Sequence, residues 1–284
     1  MNDTTPDGGE ERMGLRICVS ETLARLSRTG ALPALPQAAT AALAAARDPD
    51  TSAEKLCRII ETDVGLSARV VRAANSVAYA RRAPATTLKD AVVAIGLRDT
   101  CDILVAASVR RLYGSASRHA EGLWSHALAV AVATQELAKL TRRVDPGAAF
   151  LPALFHDAGR IAFLLADGTS FDVIQGLMET GAADRLVLEC EWFGFDHAAA
   201  GSILAETWGL QREQCDAIRW HHEPTRAEVG RSLAELIGAG DALAYSLGFG
   251  GGAVGTMPQL DGLGLSSDDE AACAERVREA FARQ

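Results

Sequence analysis

Histidine and aspartate residues gather in the second half of the chain, at spacings that would suit metal binding. Five of the six histidines fall between residues 126 and 222. Imidazole and carboxylate groups are ligands that Mn, Fe, Co, Ni and Zn share in proteins, and such a site needs no thiolate. In chain order, the potential ligands are His126, His156, Asp157, His197, His221, His222 and Asp241.

The size of this ligand set favours two ions over one. A tetrahedral zinc ion uses four ligands, and this set is larger. Two ions about 3.5–4 Å apart, bridged by a carboxylate, activate water and clamp a phosphate ester. Asp157 is the natural bridge because it adjoins His156. We therefore expect one or two divalent ions (Fe, Mn, Ni or Zn), with phosphoester chemistry as the reaction that such a site would support.

Helical spacing directs these side chains toward the interior. His126 shares one helix face with Val130 and other apolar residues, which would make a charged imidazolium costly there. His197 follows Asp196, a natural N-cap, and shares a stripe with Gly201. A glycine on that stripe permits the close approach of a neighbouring helix. The same pattern recurs over five consecutive helices, so the ligand set should converge.

The adjacent pair His156 and Asp157 lies in the apolar segment FLPALFHDAGRIAFLLA. We expect this segment to form a helix whose first turn holds Pro152. Apolar neighbours on both sides argue against a solvated face for the pair. Arg160 follows Asp157 by three residues, so an internal ion pair is the alternative to metal binding here.

Each of these residues also has a purely structural interpretation. A histidine on an apolar face is often a hydrogen-bonded core residue. His221 and His222 end a helix, where the macrodipole favours positive charge. Asp241 is the only acid in the apolar stretch IGAGDALAYSLG. The set is thus either a metal site or a buried hydrogen-bond network that remains from an ancestral site.

The elements that carry these residues are helices throughout. From Leu15 onward the chain is rich in Ala, Leu and Arg, and Gly and Pro fall between helical segments. Thr51 to Glu54 form a capping-box pattern, and no segment alternates long enough for a strand. We predict an all-α fold in which a helical N-terminal lobe packs on a second bundle. The expected divisions are a disordered leader (1–14), the N-terminal lobe (15–114), the second lobe (115–248), and a Gly-rich connector with a weakly docked C-terminal helix (249–284).

The composition excludes several classes of protein. Hydrophobic residues make up 48% of the 284 residues and charged residues 23%, so the chain can bury a core. A net charge of −9 argues against direct nucleic-acid binding. No export signal is visible, and no apolar run approaches about 18 residues without a charge, so we expect a cytoplasmic chain without membrane contact. The six cysteines form no CxxC motif and are expected to be reduced thiols.

The order of the ligands resembles that of the HD superfamily of metal-dependent phosphohydrolases. Four further segments resemble its HDOD (HD-related output domain) family: LPALPQAA, DPDTSAEKLCRIIETDVGLSARVVRAANSVAY, TLKDAVVAIGLRD and GFDHAAAGSILAETWGL. The resemblance covers about residues 20–248. It implies an all-α fold with an N-terminal helical lobe on an HD-like bundle. It also implies a bacterial signal-transduction output or regulatory module without an established reaction.

The HD-GYP branch, which hydrolyses cyclic di-GMP, has the same ligand order and allows a comparison by residue. The resemblance places all seven His and Asp residues as metal ligands, and Asp157 and Arg160 as the catalytic pair. Arg160 stands where that branch has a lysine, and arginine holds phosphate but does not readily release a proton. The Gly-Tyr-Pro signature is absent, because EPTRAEVG follows His222. Gly122 offers no carboxylate where some trinuclear relatives have one. Because of these three differences, we expect metal ligation without hydrolysis of cyclic di-GMP.

Two functions remain open from the sequence. The first is a regulatory HDOD module that binds a signalling protein partner, or a nucleotide or phosphate ligand, and retains its metal site. The second is an active metal-dependent phosphohydrolase acting on a nucleotide or cyclic dinucleotide. An open, phosphate-sized cleft around Asp157 and Arg160 would favour the enzyme, whereas a sealed core would favour the module.

Overall fold

The computed structural model describes residues 34–76, 79, 84–113, 119–179, 184–250 and 261–281. All regular structure within these ranges is helical, so the all-α prediction is confirmed. The α-helices are α1 (Gln37–Arg47), α2 (Ala53–Ile60), α3 (Val64–Ala74), α4 (Leu88–Ile95), α5 (Leu97–Tyr113), α6 (Ala120–Thr141), α7 (Pro146–Leu154), α8 (Ala158–Ala166), α9 (Gly168–Glu179), α10 (Arg185–Phe193), α11 (His197–Thr207), α12 (Arg212–Trp220), α13 (Arg231–Ser246) and α14 (Ser267–Phe281). Short 3-10 helices lie at Pro224–Arg226 and Asp261–Leu263. The predicted leader (1–14) lies outside the described residues.

Contacts divide the chain into two compact units. The first unit spans Ala34–Trp124, and the second unit contains the described residues from Ser125 onward. The division therefore falls inside α6, whereas the sequence places the lobe boundary between residues 114 and 115. The difference arises because α6 runs unbroken from Ala120 to Thr141 and contributes to both units.

Local side-chain caps define the helices of the first unit. Thr87 and Asp90 form a capping box at the start of α4, and Asp63 caps α3 by accepting from two backbone N–H groups. The N-cap of α2 is Ser52, which accepts from the backbone N–H of Lys55, so the helix begins one residue after the Thr51 cap that the sequence predicts. The hydroxyl of Thr51 donates instead to the carbonyl of the preceding helix.

Two glycines allow α8 and α11 of the second unit to approach closely. A Cβ on Gly159 would lie 2.1 Å from the backbone oxygen of His197, which no real contact permits. A Cβ on Gly201, the glycine expected to permit close packing, would lie 3.3 Å from the backbone oxygen of His156. The two helices thus press their backbones together beside two of the predicted ligands.

The most apolar stretch of the second unit is Pro146–Ala166. By length and composition it could cross a membrane, but 78% of its most apolar 18-residue window is buried inside the protein, as in a core helix. It is two helices, α7 and α8, separated by a turn. Helix α7 begins at Pro146 behind the cap Asp145, so Pro152 lies inside the helix and not in its first turn.

The C-terminal helix α14 is firmly packed, contrary to the expectation of weak docking. Its residues Cys273 and Val277 are buried, and Phe281 packs against Phe249 with ring centroids 4.3 Å apart. Apolar side chains four residues apart give this helix a buried stripe. No disulfide joins the described cysteines to one another, and Cys18 lies outside the described residues.

Candidate metal centre

The His-Asp pair lies in the turn between α7 and α8, not inside one helix as the sequence suggests. The backbone N–H of His156 bonds to the carbonyl of Ala153, which tightens the chain as α7 ends. Asp157 occupies the N-cap position of α8, yet its side chain makes no cap hydrogen bond. Its Oδ1 is therefore available to groups on other helices, while Oδ2 accepts from Arg160 of α8.

The structure brings all seven predicted residues together within the second unit. His126 comes from α6, and His197 is the first residue of α11. His221 is the C-cap of α12, His222 follows it, and Asp241 lies in α13. The residues that converge from these elements and from the α7–α8 turn are His126, His156, Asp157, His197, His221, His222 and Asp241.

The atoms fall into two groups joined by one carboxylate. Ligand atoms of His126, His156 and Asp157 lie within 4.8 Å of one another, and so do those of His197, His221 and His222. Asp157 Oδ1 lies 3.5 Å from His156 Nε2 and 3.1 Å from His197 Nε2, and thus stands between the groups.

Asp241 adds a second carboxylate to the first of these groups. Its Oδ1 lies 3.1 Å from His126 Nε2 and 4.0 Å from His156 Nε2. This arrangement suits one or two ions, with Asp157 placed to bridge them.

Four histidines are anchored through Nδ1, which leaves Nε2 directed at the centre. His156 Nδ1 donates to the Ala153 carbonyl at 2.8 Å and His221 Nδ1 to the Ile218 carbonyl at 2.7 Å. The other two anchors are the Phe249 carbonyl for His126 and the Glu189 carboxylate for His197, each at 2.6 Å. Metal-binding histidines show this arrangement, because the anchor fixes the tautomer and raises the basicity of the other nitrogen.

The inward-facing atoms are short of hydrogen-bond partners. Among the described residues, Nε2 of His126, His156 and His221 and Oδ1 of Asp241 are buried and have no hydrogen-bond partner when the imidazoles are neutral, because the proton of each ring is then on Nδ1. An unsatisfied buried polar atom costs about 1–3 kcal/mol. Cations bound in the two groups would give these atoms partners, so the residues present fit a metal site.

The five histidines differ in the direction of their pKa shifts. Burial opposes a charge on His126 and His197, but neighbouring carboxylates outweigh it and raise the pKa of both. Burial and the adjacent imidazoles lower the pKa of His221 well below its usual value and that of His222 to about 4. His156 also has a lowered pKa, first because of its burial. Neutral imidazoles are the form that binds metal.

The two aspartates are held ionised. Burial alone would raise the pKa of Asp157, but His156, Arg160 and His197 lower it well below the usual value. Burial would also raise the pKa of Asp241, but His126 lowers it by a larger amount, so this pKa too lies below its usual value. Both carboxylates are thus charged near neutral pH.

Two functional neighbours of the centre were not predicted from the sequence. Glu189 of α10 is 1% exposed and accepts from both the backbone N–H and the Nδ1–H of His197. Gln175 of α9 accepts from Arg160 at 3.3 Å and from Arg185 at 2.5 Å. No local motif marks these positions, although the burial of an acid eight residues before His197 would follow once α10 is known to pack there.

The centre is closed to solvent on nearly every side. The exposed fractions of His156, Asp157 and His221 are 0%, 7% and 2%. Arg160 is 2% exposed, and its guanidinium donates to Asp157 at 2.6 Å. Two of the seven residues meet solvent: Asp241 is half-buried, and His222 is exposed. His222 lies beside a cavity of about 50 Å³ lined by Arg219, Trp220 and Arg226, among others.

Comparison with known proteins places this arrangement in a family. The family model described as HDOD domain matches residues 32–224. An HDOD domain protein of unknown function from Geobacter sulfurreducens has a crystal structure with a TM-score of 0.72 and 24% identity, covering 90% of this chain and 87% of its own. A protein from Shewanella amazonensis, provisionally named a phosphohydrolase, gives a TM-score of 0.70 and 24% identity over 92% and 94% of the chains.

Two further relatives differ in length from this chain. A protein from Marinobacter aquaeolei, provisionally named a signal transduction protein, gives a TM-score of 0.76 and 24% identity over 95% of this chain and 64% of its own. An uncharacterised protein from Treponema pallidum is 24% identical over 192 residues, which is 67% of this chain. The match spans only 37% of that longer relative.

Proposed function

Because the chain belongs to the HDOD domain family, we propose that it is a regulatory module of bacterial signal transduction. It acts by binding a signalling protein or a small ligand and does not turn over a substrate. Its His/Asp centre holds one or two transition-metal ions that stabilise the second unit. One relative of the same fold carries the name of a signal transduction protein, which is the class of role proposed here.

The observation that carries this proposal is the sealing of Asp157 and Arg160. A phosphate ester would need room beside the bridging carboxylate and a cation free to hold it. Asp157 is 7% exposed, and the guanidinium of Arg160 is already committed to Asp157 and to Gln175. Arg160 also remains protonated, because Asp157 outweighs its burial and raises its pKa. This arginine therefore holds Asp157 in place and does not act as a proton donor.

The donor set supports the metal itself. In metal sites, a histidine binds the ion through one ring nitrogen and donates a hydrogen bond through the other. The unpartnered Nε2 atoms and the anchored Nδ1 atoms described above match these two roles. Imidazole with carboxylate suits Fe, Mn, Ni or Zn. When bound, such an ion would neutralise the ionised Asp157 and Asp241 inside the core.

A metal-dependent phosphohydrolase is the second candidate, and one observation favours it. His222 is exposed, and its Nε2 lies 3.0 Å from His197 Nε2 at the inner centre. Arg219 and Arg226 flank Trp220 at the same opening, with guanidinium carbons 4.3 and 4.1 Å from its ring. A substrate phosphate would enter beside His222 if this side opens.

A hydrolysis assay separates the two candidates. The full chain, loaded with Mn or Fe and with its metal content measured, is incubated with cyclic di-GMP and with bis(p-nitrophenyl) phosphate. We expect the wild type and the Asp157→Ala variant to show the same background rate. Hydrolysis that Asp157→Ala abolishes and Glu191→Gln, an exposed change on α10, leaves intact would establish the enzyme and refute the regulatory proposal.

A further inference from the structure

A groove of about 300 Å³ lies wholly within the first unit. Helix α3, the end of α5 and the first turn of α6 form its walls. We call it the arginine groove. Its side chains include Arg69, Arg110, Arg111, Tyr113, Glu121 and Trp124.

The arginines of this groove exceed the acids that neutralise them. Arg110 pairs with Glu121 at 3.3 Å, and Arg111 pairs with Asp63. Arg69 has no ion pair within the described part of the chain. Partial burial, followed by repulsion from Arg110 and other arginines, lowers the pKa of Arg69. The groove therefore holds an uncompensated positive charge that an anion would relieve.

Residues with further donor groups line the same groove. Trp124 is 4% exposed, and its buried indole Nε1 has no hydrogen-bond partner among the described residues. Ala120 and Glu121 also line the groove and belong to the first turn of α6, where backbone N–H groups lack helical partners. The positive end of a helix dipole adds to the field of the arginines there.

The charge of the first unit contrasts with that of the whole chain. Residues 34–124 contain 12 Lys and Arg against 9 Asp and Glu, while the complete chain has a net charge of −9. The helix dipole of α5 favours positive charge at its C-terminal end, where Arg110 and Arg111 lie in the last turn. This dipole does not explain why a third arginine, Arg69 of α3, lies in the same groove.

We propose that the arginine groove binds the phosphate group of a small phosphorylated molecule such as a nucleoside monophosphate. Guanidinium groups match phosphate oxygens in pairs of hydrogen bonds, and the indole N–H and the α6 amides supply further donors. A volume of about 300 Å³ lies at the small end of the range for small-molecule sites. The convergence of these donors at one place favours a compact ligand over an extended acidic surface. The proposal goes beyond the regulatory role, because it assigns the first unit a ligand.

Calorimetric titration of the full chain with AMP tests the proposal, with adenosine and pyrophosphate as companion ligands. We expect AMP and pyrophosphate to bind at low salt and adenosine not to bind. Arg69→Ala should weaken AMP binding about tenfold, the effect of one lost charge-assisted contact. Arg58→Ala is the matched control, because Arg58 is exposed on α2 of the same unit and does not line the groove. Circular dichroism checks that each variant is folded, and Arg69→Lys should retain part of the affinity.

Three results would overturn the proposal. The first is that neither AMP nor pyrophosphate binds at ligand concentrations up to about 10 mM, which would put the dissociation constant above that of a functional site. The second is an equal loss in Arg58→Ala and Arg69→Ala, which would show only general attraction of anions. The third is binding of an Asp/Glu-rich peptide in the groove without binding of AMP, which would assign it to an acidic protein partner instead.

Discussion

Glu189 provides a sensitive test of how the metal centre is built, because it is hydrogen-bonded to His197. The change Glu189→Gln keeps the size of the side chain and removes its charge. One carboxylate oxygen accepts from His197 Nδ1–H at 2.6 Å and from the His197 backbone N–H at 2.8 Å, at a position 1% exposed. Hydrogen bonds to a charged group contribute about 1.5–3 kcal/mol each and neutral ones about 1 kcal/mol. We therefore expect a loss of about 1–3 kcal/mol in the free energy of unfolding.

Glu191→Gln is the matched control, since Glu191 is exposed two residues further along α10. Glu191→Gln should change the free energy of unfolding by no more than about 0.5 kcal/mol. Urea unfolding of the chelator-treated proteins gives both values. In metal titrations, Glu189→Gln should also weaken binding by about 10–100-fold, because the charged acceptor that anchors His197 is replaced by a neutral one. The reasoning fails if the two variants have equal stability and equal metal affinity.

The pH dependence of the same variant has a defined sign in the metal-free protein. Burial opposes a charge on His197, but Glu189 and Asp157 outweigh it and raise its pKa above the usual value. The stability from this raised pKa is fully present below the unfolded value of about 6.5 and is lost as the pH rises through the folded value. The stability difference between wild type and Glu189→Gln should therefore be largest near pH 6 and shrink toward alkaline pH. A difference that grows with pH would contradict this assignment.

Three further outcomes follow from the packing. Gly159→Ala should destabilise the protein by about 2–4 kcal/mol in urea unfolding, because its Cβ would meet the backbone of His197, whereas Gly176→Ala has open space and should be neutral or stabilising. Thr87→Ala should cost about 1 kcal/mol through loss of the capping box with Asp90, and an unchanged unfolding midpoint would contradict it. Thiol titration of the denatured protein without reductant should find all six cysteines, and four or fewer would indicate disulfides.

The convergence of the His and Asp residues could be predicted because helical periodicity determines which face each one occupies. His126 and His197 lie on apolar stripes, and those stripes must pack inward whatever the details of the loops. Gly201 likewise showed from its position that two helices come close. The all-α class follows from the same periodicity.

The parts that could not be predicted depend on contacts between distant segments. Glu189 meets His197 because the chain reverses after α10 at Gly194, whose φ of +83° lies in the left-handed region. No spacing rule marks that pair. Arg160 is held in the core partly by Gln175 of another helix, and the sequence does not show this contact. The sequence alone therefore did not decide whether Asp157 and Arg160 line an open cleft or lie in a sealed core. The position of the His-Asp pair in a turn was missed because its apolar neighbours continue on both sides.

The most direct test of the account is the metal content of the purified protein. The full chain, produced in metal-replete medium, is analysed by mass spectrometry beside the double variant His156→Ala, Asp157→Ala. We expect one or two ions of Fe, Mn, Ni or Zn per wild-type chain and none in the double variant. A chelator should lower the melting temperature of the wild type alone. Wild-type protein that carries no metal, and takes up none on titration, would show that the seven residues form only a buried hydrogen-bond network.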